Sequence, residues 1–225
     1  MFQKTSQKSL WLVVVLTASC SAVWSKVPVM KELPVTVSVH NDAGVPLGVL
    51  LQAESEASRI FRRSGLEIRW LNCPLPQIAS ENSSECATAR SLWHLQLRIA
   101  SHSLNLNEFT MGISYLSADG TGCYADLFYN RAQQIHETSQ INVAIILGLG
   151  LAHELGHLLL GTNSHALTGI MCPRWQPTDL ANASQGRLLF SPLESREMRN
   201  KLTASHPQVL ADSQVATARL RGTRP

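Results

Sequence analysis

Charged residues are scarce in this sequence, 16% of 225 residues against roughly 25% in an average soluble domain. The hydrophobic share is still 44%, enough to bury a core, so wholesale disorder is excluded. A surplus of either sign is also missing: 19 basic and 16 acidic side chains leave +3. That balance does not suit a protein whose affinity rests on neutralising many phosphates, and no nucleic-acid partner is expected. No C-x-x-C pair occurs, which disfavours a cysteine zinc site or a thioredoxin-type redox centre. Repeats and heptads are absent too, and the length suits one substantial domain.

The first ten residues contain Lys4 and Lys8 but no acid, and an apolar run from Leu10 to Leu16 follows. This is a signal-peptide profile, and the run is shorter than the ~20 residues needed to cross a bilayer. Cleavage after Ala22 or Ser25 would each leave small residues at or near the required positions, and we set the boundary near Ser25. Residues 1–25 are thus read as a signal peptide, 26–203 as one domain, and the polar, pattern-poor residues 204–225 as a tail. Leu16-Thr17-Ala18-Ser19-Cys20 is similar to a bacterial lipoprotein box, so a membrane association is expected only if Cys20 is lipidated. The expectation is a monomer that is secreted or held in the periplasm or cell envelope.

Removing residues 1–25 leaves four cysteines, Cys73, Cys86, Cys123 and Cys172. An even count outside the reducing cytosol favours disulfides over free buried thiols. Cys73 and Cys86 bracket a short polar stretch, so their pairing would close it and leave Cys123 with Cys172 as the second bridge.

Val35 to His40 alternates β-branched and polar residues, as a half-buried strand does. From Pro46 to Arg63 apolar residues recur at helical spacing and Gly65 ends the run. Leu66 to Leu71 and Trp93 to Ile99 alternate again, and Met111 to Leu116 and Cys123 to Tyr129 are two more strand candidates. A long helix is expected to start at a cap on Thr138 or Ser139 and to run to Gly161. Its stretch from Val143 to Ala152 has no charge at all, as in a helix buried in protein or lipid. His153, Glu154 and His157 interrupt the apolar run and argue for protein.

Those three residues belong to His153-Glu154-Leu155-Gly156-His157, an H-E-x-x-H pentapeptide. Four helical residues turn the chain by about 400°, so both imidazoles project one way, one turn apart, as two ligands of one metal ion must. Glu154 lies about 100° round, where it can reach a metal-bound water without coordinating the metal. An unpartnered Glu in so apolar a helix is costly, and a cation with its water would offset that cost. Gly161 can end the helix in a left-handed conformation, letting His165 bring a third nitrogen. Three protein ligands plus water form an open, catalytic type of zinc site.

The stretch HELGHLLLGTNSHALTGIMCP resembles the metzincin zinc peptidases, whose pattern is H-E-x-x-H-x-x-G-x-x-H followed by a turn carrying a Met. Its Gly-Ile-Met-Cys-Pro ending looks most like the matrixin branch. The resemblance implies an α+β fold: a twisted mixed sheet of about five strands, a backing helix, a long active-site helix and a small C-terminal subdomain. It also implies Zn2+ on His153, His157 and His165, Glu154 as general base, and Met171 beneath the metal. The implied activity is an exported endopeptidase in which Glu154 activates the zinc-bound water; the alternative is an inactive zinc module that binds a peptide or partner. Its substrate would be a peptide or protein lying along an edge strand, either Met111 to Leu116 or Cys123 to Tyr129. Gly161 stands one residue later, and His165 two residues later, than in the family pattern, so the loop is longer. The rival third ligands are Asp179 and Glu194.

Overall fold

A computed structural model describes residues 33–74, 86, 93–102 and 110–204. Residues 1–25, expected to be a signal peptide, with Cys20 among them, and residues 205–225 of the expected tail lie outside the described residues.

Strand β1 (Leu33–Asn41) leads into helix α1 (Leu47–Arg63), then come β2 (Leu66–Cys73), β3 (His94–Ala100), β4 (Gly112–Tyr115) and β5 (Tyr124–Phe128). The helices α2 (Tyr129–Ser139), α3 (Val143–Leu160), α4 (Pro177–Ser184) and α5 (Pro192–Ala204) complete the described elements. The sheet order is β2-β1-β3-β5-β4, parallel throughout except for β4, which runs antiparallel to β5 at the edge. This is a mixed α+β architecture with five strands.

Alternation along β1 sends Val35, Val37 and Val39 into the core, where Val37 lies level with Trp70 of β2 and Leu95 of β3. Helix α1 covers that face with Leu50, Ala53, Ala57, Ile60 and Phe61, all buried. Helix α3 packs beside it, and Gly148 sets how closely: a β-carbon there would lie 2.7 Å from the Ala53 carbonyl oxygen. The 18 residues of α3 are long and apolar enough to span a membrane, yet 83% of them are buried within the fold. Being apolar on all sides therefore reflects core packing.

The other face of the sheet is polar. Asp126 on β5 is 4% exposed and accepts hydrogen bonds from Arg98 Nε and Nη2 at 2.7 and 2.9 Å, Tyr115 Oη at 3.0 Å and Tyr124 Oη at 2.8 Å. A buried carboxylate saturated in this way is held in place by its partners. The network joins β3, β5 and β4, pinning the short edge strand whose inner face meets α3.

Two sequence expectations need correction. The long helix does not begin at Thr138 or Ser139: those residues end α2, Gln140 takes a left-handed φ of 61°, and Asn142 caps α3 by accepting from the Ala144 amide at 2.8 Å. Helix α3 thus starts after a left-handed break, a few residues later than expected, and α2 occupies Tyr129–Ser139, a largely polar stretch for which no helix was expected. The cysteine pairing is also partly different. Cys73 and Cys86 form a disulfide, whereas Cys123 and Cys172 are free thiols. Cys123 is exposed just before β5, and Cys172 Sγ points to the Arg174 carbonyl 3.3 Å away.

Candidate metal centre and active site

Helix α3 carries His153 and His157 one turn apart, and both are buried, at 7% and 4% exposure. The helix ends at Gly161, whose φ of 75° is left-handed and whose amide donates to the His157 carbonyl at 2.8 Å. From there the chain turns back and brings in His165, which is exposed. One ligand-capable nitrogen from each of the three rings falls within 4.8 Å of the others. The ring centroids are 4.7, 5.3 and 4.9 Å apart.

Backbone carbonyls fix two of the tautomers. His153 Nδ1 lies 2.8 Å from the Ile170 oxygen, and His157 Nδ1 lies 2.8 Å from the Thr162 oxygen. A carbonyl only accepts, so each Nδ1 must carry the proton and each Nε2 must present a lone pair. Those Nε2 atoms are 3.1 Å apart. Two acceptors held that close need a shared electron-poor partner, and two nitrogens on one tetrahedral zinc would be separated by about 3.3 Å. Burial lowers the pKa of His153 to about 4 and lowers those of His157 and His165 as well, which keeps the rings in the neutral, ligating form.

The Ile170 carbonyl belongs to a turn in which Gly169 has φ 83° and the Ala166 amide donates to the Met171 oxygen at 2.9 Å. Trp175 Nε1 also donates to the Ile170 carbonyl, at 3.2 Å. Met171 is 1% exposed and packs behind the pentapeptide, where a β-carbon on Gly156 would meet its Sδ at 2.8 Å. The small residue at the second variable position of the pentapeptide is therefore what lets this turn sit against the helix.

Glu154 is 3% exposed, and burial raises its pKa to about 7, against a lowering effect from Ser114. Ser114 of β4 places its Oγ 2.8 Å from Glu154 Oε2. Gly112, two residues earlier on the same strand, has no room for a side chain: a β-carbon would lie 2.7 Å from Glu154 Cγ and Cδ. The edge strand thus reaches the carboxylate by presenting a glycine and a serine toward the helix. The sequence alone singled out neither of them, nor the Ile170 and Thr162 carbonyls, nor Trp175. Their one sequence signal is the small, alternating Gly112 and Ser114 in a strand candidate; the carbonyls leave no signal.

The rival ligands are occupied elsewhere. Asp179 Oδ2 accepts from the Gln176 amide at 2.9 Å and caps α4, and Glu194 Oε2 accepts from the Ser191 amide at 2.7 Å in the first turn of α5. Of the two edge candidates, Met111 to Leu116 contributes the edge strand β4, while β5 lies inside the sheet. Histidines and Glu154 open onto a cleft of about 1260 Å³.

No protein-family model and no curated protein matches this chain. Among solved structures it is similar to a zinc-dependent peptidase from Methanocorpusculum labreanum, at 18% identity and TM-score 0.48 over 72% of this chain and 99% of that one. It is also similar to archaemetzincin from Methanopyrus kandleri, at 16% identity and TM-score 0.46 over 79% of this chain and 99% of that one.

Proposed function

We propose that this chain is an exported, zinc-dependent endopeptidase that acts as a monomer on peptide or protein substrates. One observation carries the reading: two Nε2 lone pairs 3.1 Å apart, each fixed by a carbonyl on the far side of its ring, with His165 alongside. The donor set fits zinc, since three neutral imidazoles with room for solvent are the ligands of an open catalytic site. A zinc ion bound by His153, His157 and His165 would polarise water and the scissile carbonyl.

The chain's own residues supply the remaining functions. Glu154 is the base: its pKa near 7 suits both accepting a proton from water and returning it to the leaving amine. Ser114 orients the Glu154 carboxylate through its 2.8 Å hydrogen bond. Ile170 and Thr162 hold the two rings through their carbonyls, as supporting partners of metal-binding histidines do. Among the described residues, strand β4 pairs with β5 along one side only, which leaves its outer side for an extended peptide to add as a further strand. Export is supported by the signal-peptide profile and by the Cys73–Cys86 disulfide, a bond that persists in oxidising compartments.

The test is zinc content together with cleavage of a mixed peptide library, for wild type and Glu154→Gln in parallel. The expected result is about one zinc in each protein and a loss of turnover of at least roughly a hundredfold in the variant. Folded wild type without zinc would overturn the metal centre. Zinc-loaded wild type that cleaves nothing, or a variant that cleaves as well, would overturn the peptidase.

A further inference from the structure

The cleft beside the histidines runs between two helical walls. Arg131, Gln134, Ile135 and Thr138 of α2 line one side at i, i+3, i+4 and i+7 spacing, and Pro177, Leu180, Ala181 and Ser184 of α4 line the other with the same spacing. Each helix therefore turns one complete face to the cleft. The α4 wall is largely apolar and small, whereas the α2 wall is polar and bears a cation.

Charge in this cleft is one-sided. Glu154 is the single acid among the described residues that line it, and Arg131 and Arg174 contribute two guanidinium groups. Arg131 has no carboxylate partner among the described residues. Its Nη1 donates to Gln134 Oε1 at 2.7 Å, a neighbour on its own helix, while its Nε is buried and makes no hydrogen bond among the described residues. A desolvated guanidinium N–H without an acceptor is costly, and a planar fork of donors matches the paired oxygens of a carboxylate, the acidic group a peptide carries.

We infer that Arg131 is a specificity-determining residue and that the space between α2 and α4 accepts a substrate group ending in a carboxylate. This rests on the peptidase reading of the neighbouring histidines. The carboxylate has two sources: an aspartate or glutamate side chain within the peptide, or the free C-terminus of a short substrate. Both present the same planar pair of oxygens to the guanidinium.

The experiment compares kcat/KM of the zinc-loaded full chain on paired peptides, with glutamate or glutamine at each position and with a free or an amidated C-terminus. Wild type is expected to favour the carboxylate member of one pair by about tenfold or more, the scale of a hydrogen bond to a charged group. A glutamate preference assigns the pocket to a side chain, and a free-acid preference assigns it to the C-terminus; either supports the inference. In Arg131→Gln the ratio should fall to near one, and in Arg131→Glu a lysine at the same position should become the favoured residue. Equal rates for every pair with wild type, or a preference that survives Arg131→Gln, overturns it. If wild type cleaves none of the peptides, their binding is measured by fluorescence anisotropy. Carboxylate-dependent binding that requires Arg131 then upholds the pocket while the peptidase reading falls, and binding indifferent to the carboxylate overturns the pocket as well.

Discussion

The hydroxyl of Ser114 stands between two oxygens of one residue, 2.7 Å from the Glu154 carbonyl and 2.8 Å from its carboxylate Oε2. A hydroxyl has one proton to give, so Ser114 of the edge strand and Glu154 of α3 share it across 40 residues of sequence.

Ser114→Ala removes that contact. The serine bond lowers the Glu154 pKa, so without it burial acts unopposed and the carboxyl should titrate higher than about 7. Less of the base is then ionised at neutral pH. The variant should bind zinc as wild type does, lose roughly tenfold in kcat/KM at pH 7, and show the acid limb of its pH–rate profile displaced to higher pH. An unmoved acid limb would deny the serine this positioning role.

Zinc should stabilise the folded chain, because the cluster of three nitrogens assembled in the fold is dispersed on unfolding. At a free zinc concentration of a thousand times the dissociation constant, the gain is about 4 kcal/mol. Adding a chelator should lower the Tm of wild type and leave that of His165→Ala nearly unchanged. Losing a direct ligand should weaken zinc binding by more than the ten- to a hundredfold typical of a supporting residue, roughly a hundredfold or more, measurable by competition with a chromogenic chelator.

Gly156→Ala would put a methyl group within 2.8 Å of both Met171 Sδ and Phe190 Cε1. Helix propensity alone favours alanine by about 1 kcal/mol. Crowding in a close-packed core should outweigh it, for a net loss of about 1–3 kcal/mol in urea unfolding. The same displacement shifts the turn whose Ile170 carbonyl holds His153, so zinc affinity should fall together with stability.

Glu54 offers a pH test away from the cleft. It is 4% exposed, its Oε1 has no hydrogen-bond partner among the described residues, and burial raises its pKa from 4.5 to about 7, against a weak bond from Asn72 at 3.4 Å. Folded protein keeps this proton up to about pH 7, whereas the unfolded chain releases it near 4.5. The folded state binds more protons across that window, so the contribution of Glu54 to stability falls as pH rises through it and stays low above it. Glu54→Gln should therefore match wild type near pH 4 and exceed it by about 1–3 kcal/mol at pH 8. Parallel stability curves for the two proteins from pH 4 to 8 would contradict the assignment.

The parts of this fold that could be read in advance are those governed by local repetition. The alternation of Val35 to His40, the amphipathic run of α1 and the one-turn spacing of His153 and His157 follow from periods of two and 3.6 residues, which backbone geometry imposes whatever lies nearby. Gly161 as the end of α3 was readable for a similar reason: its left-handed φ is one that other residues rarely adopt. Helix α2 escaped because Tyr129–Ser139 is mostly polar and buries only Ala132, so no apolar period marks it, and the break before α3 rests on Gln140, a residue with no strong left-handed preference. The free state of Cys123 and Cys172 escaped because an even count constrains pairing only when the positions in space permit it.

Sequence alone determined that two imidazoles and a carboxyl share one helix, since their directions are set within five residues of covalent geometry. Only the tertiary structure decided which strand forms the edge, that Ser114 meets Glu154, that carbonyls of Ile170 and Thr162 orient the rings, and that Arg131 faces the same cleft. These contacts join segments whose meeting depends on the packing of the whole core, and no local period records where a distant carbonyl or hydroxyl will come to rest.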